Sequence, residues 1–379
     1  MRILHLSLGL PPFRTGGLNR YCADLMQQQV EDGQDVLLLY PGEFSFFTQV
    51  RIVRQKDARF SLYKIINPLP LPLTNGISAP ERYMKPCDKE VYRSFLKDVK
   101  PDVIHVHTLQ GFHKELFEAA KELNLRMVYT THDYYPFCPL CILLDSNGEQ
   151  CTGSCPEKCV VCNAGRGLTQ KQEYLMQSAV YARLKYSTFF KRLRSSQRKH
   201  NAKRAQCTPA PQATADAYQQ LLDYYAEMMR CINLIHANSE ISLTTYKKVY
   251  PEFRYKMVPI THAGLKCKAL KNDREKPLDI SFLGGMDAFK GVDVLFHALR
   301  SLTHGDFQIG TCGCTARILP SCAGTKDTIT WDDLQKKMKQ RSGSIPTICL
   351  LFPVNAWKHF LLSYWKDWRM VHPWFAPIW

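Results

Sequence analysis

Short apolar runs and amphipathic stretches alternate along the first 130 residues. Ile3 to Leu10 is an apolar run that predicts a strand, and Pro11-Pro12-Phe13-Arg14-Thr15-Gly16-Gly17 ends it. Leu18, Tyr21, Cys22 and Leu25 then recur at helical spacing. Gly33 supplies a left-handed stop to that helix, and Val36 to Tyr40 reads as a second buried strand. The same grammar returns: a strand at 103–107, a helix near 113–123 and a strand from Met127 to Thr131. Strands alternating with helices predict a parallel, doubly wound sheet.

A second series follows a long middle segment. Ile232 to Ala237 reads as a strand, Ile241 to Tyr250 as a helix and Tyr255 to Ile260 as a strand. Lys266 to Pro277 is polar and reads as a linker. Leu278 to Leu283 restarts the strand pattern, and Gly291 to Leu302 is amphipathic. The middle segment, 138–231, reads as an insertion with a cysteine-rich first part (138–162) and a helical, basic second part (169–231). From Tyr174 to Ala215 there is no acidic residue, while Arg183 to Arg204 holds nine Lys or Arg. The end of the chain breaks the pattern. No glutamate follows Glu275, all six tryptophans lie between Trp331 and Trp379, and neither strand nor helix period is sustained there.

Composition narrows the class. The chain has 379 residues, 45% hydrophobic and 22% charged, enough for two cores of ordinary size. Its formal charge of +16 favours an anionic partner. The opening apolar run is brief and lacks a small-residue cleavage site, and no run of about 20 apolar residues exists. We therefore expect a cytoplasmic protein. In that reducing setting the 15 cysteines point to metal or buried thiols before disulfides.

Several constellations can carry chemistry. Gly16-Gly17 follows a strand and opens a helix, where free N–H groups can hold a phosphate or sugar hydroxyls, with Arg20 one turn in. Thr131-His132-Asp133 ends a strand, the edge where ligands bind in open α/β sheets. His132 there either bonds a substrate or caps the strand through backbone. His105 and His107 share one strand face, lining the same cleft or buried as structural groups. Gly284-Gly285, followed by Lys290 and Gly291, repeats the strand–glycine–helix layout. Cys138, Cys141, Cys151, Cys155, Cys159 and Cys162 space as C-x2-C-x9-C-x3-C-x3-C-x2-C, which suits thiolate coordination of a structural zinc. An iron–sulfur cluster and unligated or redox thiols remain alternatives.

Four segments in this order carry a family resemblance: TGGLNRY (15–21), PDVIHVHTLQG (101–111), TTHDYYPFCP (130–139) and ANSE…FLGGMDAFKGVDVL (237–295). Over about residues 1–309 the chain resembles glycosyltransferase family four. The resemblance implies an α/β fold of two Rossmann-like domains facing a cleft (GT-B). It would place an acceptor-side domain at 1–262, carrying the 138–231 insertion, and the start of a nucleotide-sugar domain at 263–309. An atypical tail, 310–379, reads as frameshifted or diverged and leaves the second domain incomplete. The implied activity is retaining transfer from a nucleotide-diphosphate sugar to a saccharide or lipid-linked acceptor, as in bacterial polysaccharide assembly. No cofactor is required for that catalysis.

The resemblance also assigns residues. His132 and Lys290 are the implied catalytic pair, the first at the donor sugar and the second stabilising the departing diphosphate. Gly16, Gly17 and Arg20 are the implied contacts with donor phosphates and acceptor, and His107, Asp133, Gly284 and Gly285 join them as candidate substrate contacts from their own positions in the strand–loop–helix pattern. Two positions depart from the family pattern: Gly285 stands where an arginine is usual, and the E-x7-E pair that holds the donor is missing. A metal-knuckled, non-catalytic binding or scaffold protein is the alternative expectation. The basic stretch allows peripheral contact with anionic lipid at the inner membrane face, or a solvated surface; nucleic acid is not expected.

Overall fold

The computed structural model describes residues 1–11, 14, 16–57, 59–72, 75–153, 155–178, 180, 181 and 213–260. Beyond them it describes three strands and residues 290, 291, 294, 295 and 298. The chain divides into two compact units, Met1–His262 and Ala263–Trp379.

The first unit contains the strands β1 (Arg2–Leu6), β2 (Asp35–Pro41), β3 (Arg51–Gln55), β4 (Ser61–Ile66), β5 (Val103–Val106), β6 (Arg126–Thr130), β7 (Leu234–Ala237) and β8 (Tyr255–Met257). They form one sheet in the order β3-β4-β2-β1-β5-β6-β7-β8. Every pairing is parallel except β3 with β4. The chain leaves β1 toward β2 on one side and later returns to β5 on the other. The seam between β1 and β5 is thus the topological switch point, where doubly wound sheets bind ligands.

Both faces are covered. Helix α1 (Gly17–Glu31) lies on one, where Cys22 and Met26 meet Val36, Leu38 and Phe60. On the other face lie α2 (Lys89–Val99), α3 (Lys114–Glu122) and a helix of 215–229, packed on Leu4, Leu6, Leu37, Leu39, Ile104 and Val106. Alternation along the strands sorts the side chains between these layers. In β2, Val36 and Leu38 face α1, while Leu37 and Leu39 face the larger core.

The segment expected to be an insertion divides in two. Helices α4 (Pro156–Asn163) and α5 (Gln170–Met176) belong to it. The helix Ala215–Met229, hereafter α6, is instead the crossover between β6 and β7, with Tyr218, Leu221, Tyr225 and Met228 buried. The unit closes with α7 (Glu240–Val249) before β8. Helix α5 is tied down by buried Glu173, which accepts from Arg82 Nη1 at 2.6 Å and Tyr83 Oη at 2.7 Å. The basic stretch 183–204 lies outside the described residues.

The second unit shows β9 (Leu278–Leu283), β10 (Phe307–Cys312) and β11 (Thr347–Leu350), in the parallel order β10-β9-β11. The structure therefore has the α/β, Rossmann-like character expected, with one full sheet and the start of a second. The strand expected at Ile3–Leu10 stops at Leu6, and those expected to reach Thr131 and Ile260 stop at Thr130 and Met257. Among the described residues no helix is long and apolar enough to cross a membrane.

Candidate functional site

The carboxyl ends of β1, β5 and β6 gather four histidines. His5 sits in β1 beside its register partner His105 in β5; His107 and His132 follow β5 and β6. All lie on the α1 face, where the strands' alternation leaves a polar stripe in place of aliphatic core.

The stripe is a chain of hydrogen bonds. His5 Nε2 meets Gln29 Oε1 of α1 at 2.8 Å, His5 Nδ1 meets His107 Nε2 at 2.9 Å, and His107 Nδ1 meets His132 Nε2 at 3.2 Å. Burial lowers the pKa of His5 to about 4 and of His132 to about 3, and holds His105 and His107 well below the ordinary value. Neutral imidazoles carry one proton each, so the network assigns their tautomers. With the Gln29 oxygen accepting, His5 donates from Nε2, His107 from Nε2 to His5, and His132 from Nε2 to His107.

A second chain orients His105. The Val258 carbonyl can only accept, so His236 donates to it from Nε2 at 2.8 Å. His236 Nδ1 then accepts from the Thr130 hydroxyl at 2.9 Å, and Thr130 accepts from His105 Nε2 at 2.7 Å. One ring nitrogen from each of His5, His105 and His107 lies within 4.8 Å of the other two, so this trio could coordinate a metal ion.

Around the histidines stand the other expected residues. Gly16 has φ 134°, a conformation that glycine adopts easily and side chains resist, and it caps α1 with no side-chain bond. The first amides of α1, from Gly17 on, are thereby left for a ligand at the switch-point edge. Arg20 points outward and pairs with Asp24 at 3.2 Å, as an exposed ion pair on α1. Asp133 follows His132; its carboxyl accepts from the Tyr135 N–H at 3.0 Å and lies 3.4 Å from Gln110 Nε2. Desolvation pushes its pKa up to about 6, against those two bonds. Its backbone is held by α7, since Tyr246 Oη donates to the Asp133 carbonyl at 2.5 Å.

Sequence reasoning missed Tyr21, whose ring lies 5.1 Å from His132 and 5.9 Å from His107. It stands in the quoted TGGLNRY string, one helical turn past Gly17, and position was the available signal. His5, Gln29, Gln110, Thr130 and His236 gave no local signal; only strand register brings them together. A broad hollow of about 820 Å³ lies at the opposite edge, lined by Arg2, Asp35 and Arg54, and takes no part. Lys290 lies in the second unit, just before Gly291 with φ 73°. Gly284 and Gly285 lie outside the described residues.

Five of the six cysteines share one cavity. Cys138, Cys151, Cys155, Cys159 and Cys162 line a cavity of about 20 Å³ between the 137–144 loop and α4. Cys141 does not line it; its sulfur lies 3.4 Å from Gln110 Nε2, on the Asp133 side. The first C-x2-C pair is thus divided between the cavity and the Asp133 side.

Residues 15–150 match the model of the family described as Glycosyltransferase Family 4. A curated Klebsiella pneumoniae protein, described as an uncharacterized 42.6 kDa protein in a cps region, is 26% identical over 165 residues. That match takes in 39% of this chain and 41% of the relative, so less than half of the relative's length is spanned. Among solved structures, the E. coli trehalose-6-phosphate structure bound with UDP-2-fluoro glucose is 12% identical, with 93% of this chain and 74% of the other covered at TM-score 0.38. Sucrose-phosphate synthase from Thermosynechococcus elongatus gives 10%, 92%, 69% and 0.36, and MurG from Acinetobacter baumannii 10%, 93%, 67% and 0.34. The stretch 15–150, which holds the Gly16–Gly17 turn, His107, His132 and Asp133, is thus the part of the chain that is similar to Glycosyltransferase Family 4.

Proposed function

We propose that the chain is a retaining glycosyltransferase of GT-B type that takes its sugar from a nucleotide-diphosphate donor. The observation that carries this is His132: a buried, neutral imidazole at the carboxyl edge of a doubly wound sheet, beside the α1 N-terminus, within the family-matched stretch. The α1 amides offer partial positive charge to phosphate or sugar oxygens. His132 hydrogen-bonds the donor sugar, and His107 and Tyr21 fix its ring. Lys290 is assigned the departing diphosphate on the strength of its motif; stabilising developing charge is the largest contribution expected in such chemistry. In the mechanism usually proposed for this class, the leaving phosphate oxygen helps deprotonate the acceptor, so no separate base is needed.

The acceptor is a saccharide or lipid-linked saccharide, and the protein works in the cytoplasm against the inner membrane face. Exposed Phe46, Phe47, Tyr174, Leu175, Met176 and Val180 support that contact, because the last four adjoin the basic stretch 183–204 in sequence.

The test is nucleotide release and binding with UDP-, GDP- and ADP-sugars, using the purified chain and a version with an E-x7-E pair restored. Silence of both with every donor sinks the proposal. The missing pair and Gly285 favour a second reading, a non-catalytic α/β binding or scaffold protein. Donor binding without turnover in either version would select it. An E-x7-E encoded in another forward frame from about codon 303 would instead favour the transferase.

A further inference from the structure

Of three consecutive glutamines on α1, the third leaves the surface. Gln27 and Gln28 reach Glu31 and Asp32 along the exposed side of the helix. Gln29, three residues past buried Met26, falls on the face that meets the sheet. Its side-chain oxygen lies 2.8 Å from His5 Nε2 and begins the series that runs through His107 to His132. An amide turned toward a core costs stability unless it is bonded, and His5 is its partner.

That series allows only two arrangements. The rings of His5 and His107 have centroids 5.2 Å apart and 13° between their planes, and their facing nitrogens are 2.9 Å apart, so they meet end to end and nearly in plane. Such a contact needs one proton, since two N–H groups repel and two lone pairs leave it unbonded. Burial keeps His5, His107 and His132 neutral. A neutral imidazole has a single N–H, so a ring that donates at one nitrogen accepts at the other. The contacts from Gln29 to His5, His107 and His132 therefore share one direction, and the group at the end sets it. With its oxygen toward His5, Gln29 draws every proton toward itself; a half-turn of the amide would reverse the whole series. His105 does not interrupt it, because His105 Nε2 bonds Thr130 in the separate chain from Val258.

We infer that Gln29 is a positioning residue that, through His5 and His107, fixes the proton of His132 on Nε2, so that His132 meets the sugar donor as a hydrogen-bond acceptor at Nδ1. The direction of the series rests on the hydrogen bonds; the ligand's being a sugar donor rests on the transferase reading above. The class of group selected is one with a hydrogen to give, such as a sugar hydroxyl. A carboxylate or phosphate oxygen at the same place offers only lone pairs. To bind, it would have to move the proton of each ring and turn the Gln29 amide. A site that pairs with one kind of group rejects the other on that ground. Selectivity at His132 is thus set near the carboxyl end of α1.

Long-range proton–nitrogen NMR of the full chain with isotope-labelled histidine reads which ring nitrogen carries hydrogen, without any ligand. His132→Ala identifies the His132 signals. The natural chain should show His132 in the Nε2–H form. Gln29→Met keeps the side-chain length and removes the acceptor. It should bring in the Nδ1–H form and weaken donor binding about tenfold, with binding of the bare nucleotide unchanged. Gln29→Glu can only accept, and in mildly alkaline buffer, where His5 stays neutral, it should restore both. The probe is whichever of UDP-glucose, GDP-mannose and ADP-glucose binds the natural chain, set against UDP, GDP or ADP. Binding of none would sink the transferase reading and the donor's part in this inference, while the spectra still decide the role of Gln29. That role is overturned by an Nδ1–H form of His132 in the natural chain, or by unchanged His132 signals in Gln29→Met. Equal loss of donor and bare-nucleotide binding in Gln29→Met, or a Gln29→Glu chain without the Nε2–H form, overturns it as well. Where Gln29→Met does not fold, the spectra of the natural chain and of Gln29→Glu decide alone.

Discussion

The two faces of the large sheet come from the same strands and have opposite characters. Toward α2, α3 and α6 the strands present Leu4, Leu6, Ile104, Val106, Met127 and Tyr129, all buried in one apolar core. Toward α1 the same strands present His5 and His107, equally buried and joined by a hydrogen bond, and half-buried His105, bonded to Thr130. Because side chains alternate, a four-residue strand such as Val103–Val106 serves both faces at once. Stability is concentrated on one side, and on the other a polar stripe of low proton affinity reaches the switch-point edge. A sheet can thus carry a site through its interior without giving up its core.

Substitutions should separate the faces. The largest effect belongs to the apolar one: Phe117→Ala, at a fully buried position on α3, should cost about 3–5 kcal/mol in denaturant unfolding. Donor binding should survive wherever that variant stays folded. On the other face, His132→Ala should lower turnover by roughly 10²–10³-fold, with a much smaller loss of stability. Equal damage to both quantities would mean that His132 is a structural histidine and the contrast is false.

Acid should strain the polar face next. His5 and His132 take up protons near pH 4 and 3 in the fold, but near 6.5 in the unfolded chain. As pH falls from 6.5 toward 4 the unfolded state binds protons that the fold refuses, so stability declines. His105 and His107 add to the same slope. Asp133 opposes it: its folded value near 6 exceeds 3.8, so its contribution to stability is lost as pH rises from 3.8 to 6. Four imidazoles outweigh one carboxyl, and the urea midpoint should fall between pH 6.5 and 4.5. A flat midpoint would show that the histidines already reach water.

The smallest effect tests the join between the faces. Tyr246→Phe removes the bond to the Asp133 carbonyl and the acceptor 3.1 Å from Tyr129 Oη, and should cost about 1–2 kcal/mol by thermal melting. A shift of the pH–rate profile in this variant would show that Tyr246 also sets the environment of Asp133.

The central strands were legible because each is a short, bounded apolar run, and their alternation with helices implied parallel order. β3 was not, since Arg51–Gln55 is an edge strand with exposed Arg51, Val53 and Arg54 and no apolar run to read. Helix α2 did carry its period, with Tyr92, Phe95, Leu96 and Val99 buried, but the polar stretch before it masked the start. Helix α6 was absorbed into the insertion because a basic run precedes it, although its own sequence carries Asp216, Asp223 and Glu227. At the site, His132 and the Gly16–Gly17 turn were legible from local order. His5 and Gln29 were not, because only register and the crossing of α1 bring them to His107.

The Val258 carbonyl sits at the far end of the bonds that orient His105. Through His236 and Thr130 it decides which nitrogen of His105 carries the hydrogen. A main-chain oxygen is the one group in that relay that no codon change can delete. The polarity of the stripe on that side is therefore anchored to the path of the backbone after β8, and it is carried to His105 by two side chains, His236 and Thr130, that substitution can replace.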